Sequence, residues 1–79
     1  MLKGVGASVL HLHQLGQGVP DLLVGFRGRE YLLELKDGSK PPSKRKLTPD
    51  EEAWHDEWRG SVYVVNDVDE ALEAIGATR

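Results

Sequence analysis

Gly18-Val19-Pro20-Asp21-Leu22-Leu23-Val24-Gly25-Phe26-Arg27-Gly28-Arg29-Glu30-Tyr31-Leu32-Leu33-Glu34-Leu35-Lys36 reads as a β-hairpin. Leu22 to Phe26 and Glu30 to Lys36 are runs of aliphatic, β-branched and aromatic residues, and the glycine of Arg27-Gly28-Arg29 suits a tight reversal between them. An even-numbered loop centred on Arg27-Gly28 pairs Phe26 with Arg29. Each step back along the first strand then matches a step forward along the second, which sets Asp21 opposite Glu34. Side chains alternate across a strand, so Leu22, Val24, Phe26, Tyr31, Leu33 and Leu35 share one wholly apolar face. That face belongs to the core. The other carries Asp21, Leu23, Leu32, Glu34 and Lys36, which gathers two carboxylates and an ammonium at the open end of the hairpin.

Like charges directly opposite each other on a sheet are unfavourable, and close carboxylates raise each other's pKa unless something positive lies between them. A divalent cation removes the conflict. Opposed Cβ atoms lie ~4.5–5.5 Å apart and Mg²⁺ takes carboxylate oxygens at about 2.0–2.1 Å while keeping several waters, so one ion can bridge both acids. Lys36, one pleat beyond Glu34 on the same face, is placed to orient a water or to stabilise developing negative charge. A solvated hairpin face holding a salt bridge is the plainer reading of the same residues.

Pro20-Asp21, a hairpin and then Glu34-Leu35-Lys36 resembles the PD-(D/E)XK nuclease superfamily. Within it, Gly18, the Leu-Leu-Val-Gly continuation, the Lys36-Asp37-Gly38 exit and Leu47-Thr48-Pro49-Asp50-Glu51 are most similar to the small, single-domain phage-type VRR-NUC domain. The resemblance runs from Gly6 to about Gly76. It implies a restriction-endonuclease-like core and a Mg²⁺- or Mn²⁺-dependent endodeoxyribonuclease, a hydrolase of phosphodiester bonds. Asp21 and Glu34 would be metal ligands, the Leu35 carbonyl a further ligand, and Lys36 the catalytic base or charge stabiliser. It also implies a homodimer acting on branched DNA such as four-way (Holliday) junctions, in the cytoplasm of a bacterial or phage-infected cell. Two departures stand out. Glu51 occupies a place where the family often has glutamine. Family members also usually begin with a helix that brings another acidic residue near the metal, whereas this sequence starts almost at its first strand, so a partner subunit supplies that residue or the helix is lost.

The 79 residues make one domain over 1–79, small enough that burial is marginal without self-association. The absence of cysteine rules out a disulfide framework and a Cys-based zinc site. With no long apolar run and no signal-peptide pattern, the chain is expected to be soluble and intracellular. Its net charge of -3 is unevenly spread. From Arg27 to Lys46 seven basic residues stand against three acidic ones, a net +4, while the remainder carries three basic against ten acidic, a net -7. Local charge governs how a phosphate backbone is met, and the positive segment adjoins the hairpin's open end.

Before the hairpin, residues 1–7 offer no helical pattern, and Ser8 to Leu15 alternates as a half-buried strand does. His11 and His13 share a face there. His13 is an auxiliary candidate beside the carboxylates; two histidines alone do not make a site, and polar positions on a sheet are the favoured reading of the pair. Gly16-Gln17-Gly18 is a turn. After Lys36 the stretch 37–47 is a basic, proline-stiffened loop, with Lys40, Lys44, Arg45 and Lys46 as candidate phosphate contacts. Thr48-Pro49-Asp50-Glu51 starts a helix by its N-cap, early proline and capping-box glutamate. That helix is expected to reach Arg59, with Trp54 and Trp58 on one face as core or dimer anchors. Glu51 is a second auxiliary candidate, although capping alone accounts for it. Ser61 to Val65 reads as a strand placed parallel beside the Glu34 strand. Asn66 or Asp67 caps a last helix with Val68, Ala71, Leu72 and Ile75 in a stripe.

The expected fold is therefore a small α/β domain, a mixed sheet in the order β-β-β-α-β-α with its apolar face covered by the Trp-bearing helix. A non-catalytic DNA-binding module keeping this fold is the alternative function. A protein-interaction domain built on the acidic helices is a third.

Overall fold

Arg27 and Gly28 adopt φ of 51° and 78°, two left-handed residues in succession, as the tightest right-twisting hairpins require. A non-glycine residue there is strained, and the Arg27 guanidinium lies over the Phe26 ring at 4.8 Å from its centroid, a cation–π contact that offsets some of the cost. This turn fixes the register of β2 (Leu22–Phe26) against β3 (Arg29–Leu35). Phe26 pairs with Arg29, Val24 with Tyr31 and Leu22 with Leu33, as the even-numbered loop requires.

The structure, a computed structural model, describes residues 2–77; positions 1, 78 and 79 of the expected 1–79 domain lie outside the described residues. It is a small mixed α/β protein with a four-stranded sheet in the order β1-β2-β3-β4 and two α-helices. β1 (Ser8–His11) and β3 run antiparallel to β2, and β4 (Tyr63–Val65) runs parallel to β3. α1 spans Pro49–Glu57 and α2 spans Val68–Ala74.

The core forms on the hairpin face composed of alternate residues. Leu22, Val24, Phe26 and Leu33 are buried with Val65 from β4, Ala71 and Ile75 from α2 and its end, and Ala7 from the N-terminal arm. Leu35, assigned to the same face, is exposed because it lies at the end of its strand. The helix covering this apolar face is α2, assisted by Leu2, and not the Trp-bearing α1 expected there. α1 has no buried residue. It lies over the opposite face, the one bearing Glu34, with Glu51, Trp54 and His55 half-buried on the side toward the sheet. Trp54 and Trp58 stack on each other with centroids 4.8 Å apart, and Trp58 Nε1 donates to the Ser61 carbonyl at 3.1 Å. They clip the end of α1 to the following loop and are not core anchors.

Smaller differences have local causes. The first strand stops at His11: the Leu12 N–H still follows the β1–β2 register to the Asp21 carbonyl, but the Leu15 N–H then bonds back to Leu12, which folds His13–Leu15 into a 3₁₀ turn. Leu2–Val5 is likewise a 3₁₀ turn. α1 ends at Glu57 because Trp58 is already extended, at φ -71° and ψ 125°. β4 is a short outer strand, with Tyr63 and Val64 exposed.

Gly18 joins the two layers. It takes φ +81°, and a Cβ there would collide with the Asp50 carbonyl and the following peptide of α1. Gly28 takes φ +78° with open space around it. Gly28→Ala therefore meets only backbone strain, of order 1 kcal/mol, whereas Gly18→Ala meets strain and must also push α1 away. In urea unfolding, Gly18→Ala is expected to be the more destabilising of the two by at least about 1 kcal/mol; equal midpoints would show that α1 is not held at this contact.

Candidate active site

The entry to β2, the end of β3 and α1 meet at the end of the hairpin where the β2–β3 ladder stops at the Leu22–Leu33 pair. Pro20 precedes Asp21 and is fully buried. Lacking an N–H, it cannot continue the ladder. The Asp21 carboxylate takes over, and its Oδ2 accepts the Leu35 N–H at 2.7 Å. Strand alternation turns the Leu35 carbonyl toward Pro20 as well, and Pro20 has no proton to give it.

Glu34 lies beside Asp21 on the face under α1 and is 1% exposed, the one buried charged residue among those described. Its carboxyl is pushed up to about 8 from an ordinary 4.5, first by burial, then by the hydrogen-bonding and charge of Asp21 and the charge of Glu51. The Lys36 ammonium acts in the opposite sense but does not outweigh them. Carrying the β2–β3 register one step beyond Leu22–Leu33 sets the two acids opposite each other, and the Asp21 charge acts on Glu34.

Lys36 is half-buried and its Nζ donates to Glu51 Oε1 at 2.6 Å. Glu51 also closes the capping box of α1. Its Oε1 accepts from Thr48 N at 2.8 Å, and its own N–H donates to Thr48 Oγ1 at 3.2 Å. Burial pushes the Glu51 carboxyl up, but Lys36 and the Thr48 amide together hold it below the usual range. One carboxylate thus caps a helix, as the sequence indicates, and tethers the lysine, which the sequence does not.

His55, one turn beyond Glu51, completes the cover and was not singled out from the sequence. Its Nε2 lies 3.5 Å from Glu34 Oε1. Both atoms are buried without a hydrogen-bond partner, a condition that costs about 1–3 kcal/mol for each group left unsatisfied. The signal for His55 was available: Glu51 and His55 stand four apart on a helix and so share a side, the side that also carries Trp54 and Trp58.

Other candidates lie elsewhere. His13 is exposed in its 3₁₀ turn, its ring edge-on to His11 at 6.0 Å. Lys40, Lys44 and Lys46 are exposed, and a short 3₁₀ turn, Pro42–Lys44, stiffens the loop. Arg45 differs from them, being half-buried with its Nε enclosed and unpartnered, so it is not presented as freely as its neighbours. At the loop entry Asp37 accepts from both the N–H and the hydroxyl of Ser39, which holds its carboxyl below the usual range.

The raised pKa of Glu34 has a consequence for stability. Between its ordinary 4.5 and about 8 the folded protein holds a proton that the unfolded chain has released, so stability falls as pH rises through this window. The total effect is of order a few kcal/mol. Thermal unfolding in a chelator is expected to show a falling midpoint from pH 5 to pH 9, with Glu34→Gln flattening the decline. A wild-type midpoint that does not fall over that range would contradict the proposed protonation.

Among the described residues no three or more His, Asp and Glu side chains form a ready-made metal cage, and no helix is long and apolar enough to cross a membrane. Comparison of the chain with protein-family models, curated proteins and solved structures gives no match.

Proposed function

We propose that this protein is a Mg²⁺- or Mn²⁺-dependent endonuclease of the PD-(D/E)XK type, similar to VRR-NUC domains and with a restriction-endonuclease-like core. The observation that carries the reading is the juxtaposition of Asp21 and a fully buried Glu34 with Lys36 on the next pleat. A buried, protonated glutamate beside a second acid is a poor structural device, because burial and like charge both work against its ionisation. It is a good place for a cation. The residues fit one: Glu34 Oε1 is buried and unpartnered, Asp21 adds a second hard oxygen donor, and the Leu35 carbonyl faces a proline with no N–H to offer.

Asp21, Glu34 and the Leu35 carbonyl would hold the ion, whose contribution when bound is to polarise a phosphodiester and favour hydroxide over water. The chain's own residues do the rest. Lys36 would stand beside the attacked phosphate, either as an ammonium that stabilises charge developing on the phosphate oxygens or, after giving its proton to solvent, as the neutral amine that takes one from the attacking water. Glu51 holds that ammonium in place at 2.6 Å. The exposed Lys40, Lys44 and Lys46 attract the backbone without regard to sequence. Exposed apolar residues, among them Leu10 and Leu15 at one end and Val64 on β4, give a second copy something to cover. A two-fold homodimer suits a two-fold substrate such as a four-way junction.

Fluorescent junction, flap, splayed and linear DNAs incubated with Mg²⁺ or Mn²⁺ test the proposal. Cleavage of at least the junction, lost with chelator, is the expected result. All substrates left intact with both metals would overturn it. Salt-sensitive binding without cutting would move the protein to the non-catalytic DNA-binding alternative.

A further inference from the structure

His55 reaches the site from α1, an element that supplies no candidate metal ligand in the reading above, and the state of its Nε2 is unusual. The atom is buried, accepts and donates no hydrogen bond, and faces the equally unpartnered Glu34 Oε1 at 3.5 Å. A histidine–glutamate hydrogen bond would close to about 2.7–2.9 Å, and this pair has not closed. Two ligands of one ion, each bonded at about 2.1 Å, stand about 3 Å apart at a right angle and about 3.4 Å apart at the tetrahedral angle. The observed separation, also the outer range of a histidine–carboxylate ion pair, matches that of two ligands sharing one ion.

The position is also constrained. The Trp54 ring lies edge-on to the imidazole at 5.9 Å, and the Thr48–Glu51 capping box fixes the start of the helix that carries both. Glu51, one turn earlier on the same side, is tethered to Lys36. The imidazole is thus delivered by a helix whose start is fixed by its own cap and whose seat on the sheet is set by the Lys36–Glu51 contact.

We propose that His55 Nε2 and Glu34 Oε1 form a nitrogen-and-oxygen ligand pair for one divalent cation, making this site prefer ions that accept imidazole over Mg²⁺ and Ca²⁺. The proposal rests on the metal-site reading above and goes beyond it by adding a ligand from α1 and a metal preference. Hard ions such as Mg²⁺ and Ca²⁺ favour oxygen, whereas imidazole gains along the first transition series. Ligation requires the neutral tautomer with its proton on Nδ1, which leaves Nε2 free.

Mn²⁺ is the probe, because its paramagnetism reports directly bound nitrogen. Pulsed electron paramagnetic resonance of the Mn²⁺-loaded wild-type protein is expected to show a directly coordinated ¹⁴N coupling that disappears in His55→Gln. Calorimetric titration is expected to show Mn²⁺ bound at least about tenfold more tightly than Mg²⁺, with most of that preference lost in His55→Gln. The chain has three histidines. Should His55→Gln fail to fold, the His11→Gln/His13→Gln double variant makes the assignment: a retained coupling assigns the nitrogen to His55, and a lost one overturns the proposal. Mn²⁺ bound by the wild type without nitrogen coupling overturns the His55 role while leaving the Asp21–Glu34 site standing. No Mn²⁺ binding at all overturns both.

Discussion

Lys36→Ala is expected to lower metal-supported cleavage of junction DNA by at least about a hundredfold, the scale on which positioned proton-transfer and charge-stabilising groups contribute, while the protein stays folded. The fold should survive because Lys36 is an end-of-strand residue whose backbone N–H keeps its bond to the Val65 carbonyl at 2.9 Å. Glu51, losing the ammonium, retains the Thr48 amide as a partner for the same oxygen. Glu51→Gln makes the informative contrast. Glutamine preserves the capping box and loosens the hold on the lysine, so that variant is expected to keep its fold and to lose activity, though less than Lys36→Ala. Circular dichroism paired with a single-turnover cleavage assay separates the two. A Lys36→Ala protein that cuts at the wild-type rate would remove the lysine from the chemistry.

Leu33→Ala is expected to have the largest effect on stability. Leu33 is fully buried at the centre of β3, paired with Leu22 on one side and Tyr63 on the other. Deleting such a side chain costs about 2–5 kcal/mol, against the roughly 4–12 kcal/mol that a domain of this size holds in total. The variant should therefore lie near its unfolding threshold at 37 °C. Leu10→Ala, at a position 57% exposed, is expected to change stability by less than about 0.5 kcal/mol. Urea melts of the two variants check the assignment of the core face, and comparable losses would show it misplaced.

The register of the hairpin was legible because it depends on one local event, the left-handed pair at Arg27-Gly28. Once that turn is placed, alternation assigns every side chain from Asp21 to Lys36 to a face. The cap of α1 was legible for the same reason, since Thr48, Pro49 and Glu51 act within one turn of helix. Which face α1 covers was not legible. Its sheet-facing side, Glu51, Trp54 and His55, mixes charged and aromatic residues and lacks the aliphatic stripe that makes Ala71 and Ile75 on and after α2 readable as core. The choice between the two helices was made by tertiary contacts: the lysine–glutamate tether, the missing Cβ of Gly18 under Asp50 and the tryptophan clip to Ser61. Because α1 went to the polar face, Glu34 became buried and His55 became its neighbour. Arg45 shows the same limit, since composition placed it with the exposed lysines and the packing of the loop enclosed its Nε.

The most direct test of the central claim is the position of a metal ion. In crystals of the wild-type protein soaked in Mn²⁺, the anomalous difference map is expected to show a peak within about 2.0–2.3 Å of one carboxylate oxygen from Asp21 and one from Glu34. A map with no peak between these two acids, or an ion held elsewhere on the chain while Glu34 keeps its proton, would contradict it.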